Sequence, residues 1–273
     1  MKRACELLRV RRQGYYEWRG RSESNRKDQD EALRREIQNI FFESNRIYGA
    51  RKIRSELKRK GITTSRKRIR RLMTEAGLCP VTHRKRVNTT DSQHNLTVYP
   101  NLLYSNTAND INRIWVSDFT YIPTEEGWLY LCSLMDLYSR RVVGWAVSSV
   151  IDRHLAIAAF NNAINNRHPG KLFIFHSDRG SQYASNDFRN ALNAAGGVQS
   201  MSSPGNPYEN ACAESFFKTL KVECVDRFSF KSRAQAGDAV STYMLWYNRK
   251  RIHASLDYRS PLEFEQHLSS LAS

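Results

Sequence analysis

Three acids stand where a lone carboxylate would be costly without a partner. In FHSDRGSQY, Phe175 to Tyr183, Asp178 closes the apolar run KLFIF and is followed by Arg179 and the turn-former Gly180. Asp118 sits within the alternating segment RIWVSDFTYIPT, and Glu214 within NACAESFFKTLKVE, one turn after Asn210, the expected N-cap. Between Asp118 and Asp178 lie 59 residues, and between Asp178 and Glu214 lie 35. Taken singly, each acid has an ordinary reading: a hydrogen-bonded strand acid, a turn acid beside Arg179, and a helix-dipole partner. Taken together they suggest something else. Carboxylates gathered at one edge of a sheet repel one another unless a cation neutralises them. Hard oxygen ligands without Cys or His suit Mg²⁺ or Mn²⁺, with water and substrate phosphate completing the shell. Two such ions about 3.5–4 Å apart can activate a nucleophile and stabilise the leaving oxygen of a phosphodiester. Asp136 and Glu209 are the rival acids; Asp136 is expected to support the turn after the second strand, and Glu209 to lie in the loop PGNPYEN.

The surrounding residues supply elements that could bring these acids together. In RIWVSDFTYIPT, Val116, Asp118, Thr120 and Ile122 alternate with Trp115, Ser117, Phe119 and Tyr121, the period of a strand. A turn near Glu126-Gly127 leads to WLYLCSLMDLYS, and RVVGWAVSS follows, so three antiparallel strands are expected. DRHLAIAAFNNAINNRH reads as a helix stopped by Pro169-Gly170. KLFIFHS reads as a strand buried on both faces, SNDFRNALNAAG as a helix capped by Ser185, and VQSMSS as a fifth strand. A helix from about Ala211 ends the series. Its apolar stripe is Ala213, Phe217, Leu220 and Cys224, and Glu214, Lys218 and Lys221 share the opposite face. The order β-β-β-α-β-α-β-α predicts an α/β fold: a mixed five-stranded sheet flanked by helices.

Charge divides the chain. Residues 1–90 hold 26 Lys and Arg against 10 Asp and Glu, whereas the remaining 183 residues hold 17 of each, so the whole net charge of +16 falls in the first third. Such an excess is either a solvated face or a phosphate-binding region. Leu33, Ile37, Ile40 and Phe41 recur at helical spacing. Ile53 and Leu57 form one short stripe, and Ile69, Leu72, Met73 and Ala76 another. Gly61 ends the first of this pair, Thr64 or Ser65 caps the second, and Gly77 with Pro80 stops it. Two short helices about a tight turn form either a helical hairpin or a helix-turn-helix. In the latter, Arg66, Lys67, Arg68, Arg70 and Arg71 would ride on the helix that enters the major groove. The expected organisation is a basic helical region over 1–45, a helix-turn-helix over 46–80, a polar linker over 81–109 and a core with C-terminal helices over 110–268. Five scattered cysteines without a CxxC pair argue against a zinc site or a disulfide framework and fit a reducing cytosol. No apolar run is long enough to span a bilayer, and the basic N-terminus lacks the apolar stretch of a signal peptide.

The words WVSDFTYI, LMDLYSRRVVGW, HSDRGSQY, ENACAESFFKTLK and YNRKRIHASLDYRSPLEF resemble the second-reading-frame transposases of bacterial insertion sequences. These have a DDE core of the retroviral-integrase superfamily. YGARKIRSELKRKG resembles the helix-turn-helix that such proteins carry ahead of that core, and the similarity covers essentially the whole chain. The resemblance implies a ribonuclease H-like fold with Asp118, Asp178 and Glu214 as the catalytic and metal-holding triad. It implies Mg²⁺ or Mn²⁺ as cofactor, two ions in all, and cleavage at element ends followed by strand transfer of the released 3′-OH. Lys221 matches a position that contacts the DNA end, and Lys218 shares its face. His176, Ser177 and Gly180 are expected to shape the site. Double-stranded DNA, both element ends and target, is the implied partner, with a homo-oligomer pairing two ends in the bacterial cytoplasm at the nucleoid. Fusion to the product of an upstream reading frame is also implied for this family. Two rival readings are a catalytically silent DNA-binding regulator of the element and a ribonuclease H-like nuclease.

Overall fold

A computed structural model describes Cys5, Leu7 and residues 11–20, 25–81, 99–203 and 210–272. The chain divides into two compact units between Pro80 and Val81.

The first unit is helical: α1 (Arg12–Gly20), α2 (Asn25–Glu43), α3 (Ala50–Arg59) and α4 (Arg66–Glu75). The expected stripes form its core. Leu33, Ile37, Ile40 and Phe41 of α2, Ile53 and Leu57 of α3, and Ile69, Leu72 and Met73 of α4 are buried. Gly61 follows α3 in the left-handed region at φ +77°, where a side chain would be strained. Of the two capping candidates, Ser65 does the work, its Oγ accepting from the Arg68 amide at 3.1 Å.

The second unit is built on one sheet of five strands: β1 (Ile114–Thr124), β2 (Gly127–Asp136), β3 (Val142–Ser148), β4 (Ile174–Ser177) and β5 (Val198–Met201). The spatial order is β3-β2-β1-β4-β5. The first three strands form the expected antiparallel meander, and β4 joins β1 in parallel, as β5 joins β4. Helix α5 (Arg153–Arg167) connects β3 to β4. Helices α6 (Ser181–Ala184) and α7 (Asn186–Ala194) connect β4 to β5, and α8 (Ala211–Glu223), α9 (Arg233–Arg249) and α10 (Pro261–Ala272) follow the sheet. This is the ribonuclease H-like arrangement. The four-residue α6 was not expected, because one turn of SQYA carries no helical period of its own.

Strand alternation sorts the two cores. Val116, Ile122, Leu129 and Leu131 pack with Phe216, Phe217 and Leu220 of α8 and with Val240 and Met244 of α9. On the other face Trp115, Cys132 and Leu134 pack with Ala159 and Phe160 of α5 and Phe188 and Leu192 of α7. Gly144 permits the close seat of α5 on β3. A Cβ there would lie 2.5 Å from the Ala159 carbonyl oxygen and 2.6 Å from the Ala163 Cβ. Asp136, the rival acid of β2, has the structural role expected of it. Its Oδ1 accepts from the Tyr138 amide at 3.0 Å and the Ser139 amide at 2.8 Å, and its Oδ2 from the Asn112 amide at 2.6 Å.

Candidate active site

The register between β1 and β4 aligns the two aspartates. Val116 lies beside His176 in the parallel pair, so continuing both strands by two residues sets Asp118 beside Asp178. β4 ends at Ser177, which leaves Asp178 just past its carboxyl end, where α/β sheets place their ligands. Asp178 turns on itself there: its Oδ1 accepts from the Gly180 amide at 3.0 Å. A Cβ on Gly180 would stand 3.0 Å from that oxygen and 2.8 Å from Gln182 Oε1, so a side chain there would have to displace the Gln182 amide and press on the Asp178 carboxylate.

Glu214 comes from α8. The predicted cap Asn210 occupies the cap position, but its side chain makes no capping bond. Instead its buried Nδ2 donates to the Ser117 carbonyl of β1 at 3.2 Å. That bond ties the start of the Glu214 helix to the residue next to Asp118. Its Oδ1 is buried without a hydrogen-bond partner among the described residues. The rival acid Glu209 and most of the loop PGNPYEN lie outside the described residues.

Electrostatics show that the three acids share a neighbourhood. Burial first, and then the charge of Asp178, raises the Asp118 carboxyl from its ordinary 3.8 to about 7. Glu214 pushes in the same direction. The Phe119 amide, which donates to Asp118 Oδ1 at 2.7 Å, and the charge of Lys221 pull it back only in part. Among the described residues, no three His, Cys, Asp or Glu side chains are drawn tightly enough together to hold one ion among them. The donor chemistry nevertheless fits a hard divalent cation. The acceptors are carboxylate oxygens, those of Asp118 within β1 and of Asp178 just past the end of the neighbouring β4 among them, and Mg²⁺ commonly takes one or two carboxylates.

Under Asp118 lies a neutral polar layer. Ser117 Oγ and the Tyr183 hydroxyl are 2.7 Å apart, and Cys132 Sγ stands 3.6 Å from the former and 3.5 Å from the latter. Burial pushes the Cys132 thiol up to about 12 and the Tyr183 phenol well above its ordinary value, so the layer adds no charge. His176 is enclosed between Ser200 Oγ at 2.8 Å and Ser202 Oγ at 3.1 Å, and the Arg179 Nε donates to the Ser202 carbonyl at 2.8 Å. These bonds hold the turn that presents Asp178. Sequence reasoning missed Tyr183 and misassigned the bond of Asn210; both depend on tertiary contacts that spacing does not encode.

The predicted DNA-contacting cations separate into two groups. On α8, Lys218 pairs with Glu214 at 3.3 Å, and the Lys221 ammonium stands 4.3 Å from the centre of the Tyr121 ring. On α4, Arg66, Lys67 and Arg70 are exposed. Arg68 and Arg71 are instead bound to Asp30 of α2, at 2.6 Å and 2.5 Å, and Arg71 also to Glu75 at 2.7 Å. Those pairs lower the Asp30 carboxyl below its ordinary value, the bond from Arg71 contributing most.

Comparison with known proteins gives a family to each of the two units. Residues 108–207 match the family model described as "Integrase core domain", residues 196–261 match a second model of that description, and residues 27–86 match "HTH-like domain". The chain is 38% identical over 270 residues to the "Insertion element IS600 uncharacterized 31 kDa protein" of Shigella sonnei, covering 98% of this chain and 99% of that one. It is 39% identical over 256 residues to the "Transposase for insertion sequence element IS904" of Lactococcus lactis subsp. lactis (strain IL1403), covering 91% and 99%. With "Transposase InsF for insertion sequence IS3A" of Escherichia coli (strain K12) the identity is 36% over 269 residues, covering 97% and 93%. With an integrase core, a helix-turn-helix-like domain and full-length relatives of this kind, the chain belongs to the insertion-sequence transposases, enzymes of the polynucleotidyl transferase class.

Proposed function

We propose that this transposase cuts a phosphodiester at the end of its own element and joins the released 3′-OH to a second phosphodiester. Asp118 and Asp178 would hold two Mg²⁺ (or Mn²⁺) ions, with Glu214 completing one of them. When bound, the ions lower the cost of forming an attacking oxygen and of expelling the leaving oxygen. The chain's own residues fix the site. Gly180 and His176 set the turn of Asp178, Asn210 sets the height of the Glu214 helix, and Lys221 and Lys218 attract the phosphates of the end. Arg66, Lys67 and Arg70 carry the major-groove face of the helix-turn-helix. No Tyr or Ser nucleophile is required, since water and then a DNA hydroxyl attack directly. Because two ends must be joined, the working form is a homo-oligomer on double-stranded DNA, with an upstream reading-frame product as a further partner. Action on the chromosome places the enzyme in the bacterial cytoplasm at the nucleoid. No described helix is long and apolar enough to cross a membrane.

The observation that carries this reading is the register that sets Asp118 beside Asp178, with the charges of Asp178 and Glu214, both far off in sequence, raising the Asp118 carboxyl. The test uses labelled element ends with Mg²⁺. Asp118→Asn, Asp178→Asn and Glu214→Gln should each abolish cleavage and strand transfer while leaving end binding within a few-fold of wild type. Metal-dependent cleavage surviving in the Asp178→Asn protein would rule the scheme out. A wild-type chain that binds ends and never cuts, alone or fused to the upstream product, would favour the silent regulator.

A further inference from the structure

Strand alternation turns Tyr121 to the face opposite Asp118, together with Phe119, and the register sets Tyr121 opposite Tyr130 and Pro123 opposite Trp128. Tyr121 and Trp128 are therefore diagonal neighbours on one face of the β1–β2 hairpin. Their rings meet edge to face, with centroids 5.0 Å apart at 82°. Further down the same face, Phe119 packs on Tyr183, 5.0 Å between centroids, and the aromatic row enters the core. At the hairpin end the row is uncovered: Tyr121 is 49% exposed and Trp128 48%. A single exposed apolar side chain is unremarkable, but two large aromatic rings in contact beside a cation form a defined surface.

The charges around this pair suit one occupant. Lys221 belongs to the helix of Glu214, its charge is felt at Asp118, and its ammonium lies over the Tyr121 ring. It thus bridges the carboxylate site and the aromatic pair. On the other side, the Arg233 Nε donates to the Trp128 carbonyl at 3.0 Å, which brings a guanidinium to the hairpin end. Of the two turn acids, Glu125 and Glu126, both exposed, Glu126 accepts from the Arg233 amide at 2.8 Å, at the start of α9. Aromatic faces beside cations bind nucleic acid by stacking bases and holding phosphates. A base inside a duplex cannot present its face, so the ligand must be unpaired.

We propose that Trp128 and Tyr121 form a stacking platform for an unpaired base of the DNA strand whose phosphate enters the carboxylate site, with Lys221 held on Tyr121 to meet the adjoining phosphate. This assigns to the β1–β2 hairpin the separation of strands at the DNA end, and it rests on the reading of the carboxylates as the cleavage site. Stacking tolerates any base, so the surface selects an open end over a closed one and does not read sequence.

The test is binding of the full-length chain, in EDTA, to a labelled duplex in three forms: blunt, with a short tail of unpaired thymidines, and with the same tail made abasic. Wild type should prefer the thymidine tail to the abasic one. Trp128→Ala should lose about five- to a hundred-fold in affinity for the thymidine tail alone. Trp128→Phe, which keeps a ring, should retain most of that affinity, and the circular dichroism of both variants reports folding. Equal affinity of wild type and Trp128→Ala for the thymidine tail would overturn the proposal. So would an equal loss on all three duplexes, or a change confined to self-association in sedimentation. Because binding is read without metal, the platform can fail while Asp178→Asn still abolishes cleavage, and it can stand if no cleavage is found.

Discussion

Asp118 occupies a position that is unfavourable for a carboxylate in the metal-free protein. Burial and the neighbouring Asp178 and Glu214 charges hold its carboxyl at about 7 against an ordinary 3.8. The folded state therefore binds more protons than the unfolded chain between those two values, and stability falls as pH rises through that window. Above it, the ionised group costs the fold on the order of 1–4 kcal/mol. Asp118→Asn should consequently raise the melting temperature at pH 8 in EDTA, and the difference should vanish below the ordinary carboxylate value. Mg²⁺ should reverse the order, stabilising wild type by mass action and leaving the Asp118→Asn protein little changed. Calorimetric scans at several pH values, with EDTA and with Mg²⁺, read both effects. A wild-type protein more stable than the variant at pH 8 without metal would show that the acids are not in fact set against one another.

At the scale of elements, the sheet is fastened to its last helix by a buried ionic group. Glu265 of α10 accepts from the Arg167 Nη1 at 2.8 Å and Nη2 at 2.9 Å and from the Arg141 Nη1 at 2.5 Å. The Arg167 Nε also donates to Asn112 Oδ1 at 2.8 Å, just before β1. Burial alone would raise the Glu265 carboxyl, but the bonds from Arg167 and Arg141 outweigh it and hold it below its ordinary 4.5. A depressed acid contributes stability above its unfolded value and loses it as pH falls through the folded one. Glu265→Gln leaves the buried Arg167 guanidinium and the part-exposed one of Arg141 without their counter-charge, so it should cost about 3 kcal/mol in urea unfolding at pH 7. That gap should close in acid, below the value at which Glu265 itself takes up a proton. An equal gap at both pH values would mean that packing, not charge, ties α10 to the sheet.

The same scale explains what could be read from sequence. The succession of strands and helices along the chain, the HTH-like pair and the position of Asp178 follow from alternation, helical stripes and turn residues, which are local. The asparagine before Ala211 was legible as a helix start, but its bond to Ser117, 93 residues away, was not. Nor could spacing show that Asp30 would claim Arg71 from 41 residues away, since an exposed cation and a paired one look alike on a helix face. Tyr121 was placed on the correct face of its strand; that its ring stays half exposed beside Trp128 at the hairpin end is not encoded in that alternation.

Over the whole molecule, charge and chemistry are kept apart. The core that gathers acids carries no net charge outside the first 90 residues, and without bound cations its site repels phosphate. Attraction to DNA must come mainly from the basic unit, yet part of its charge is used internally. Arg68 and Arg71 hold Asp30, Arg34 pairs with Glu75 at 3.0 Å, and Lys60 with Glu36 at 2.8 Å. The cations left facing outward on α4 are Arg66, Lys67 and Arg70, and these should set the salt dependence of binding. Each changed to Ala should flatten the slope of log affinity against log salt by about one. Arg71→Ala should leave the slope nearly unchanged and lower the melting temperature instead, because it frees Asp30 from a structural pair. Titrations of labelled element-end duplex at several salt concentrations, beside thermal melts of each variant, separate the two classes. If Arg71→Ala flattened the slope as much as Arg70→Ala without loss of stability, then the pairs with Asp30 would open on DNA. The recognition face would then include all five cations of the helix rather than three.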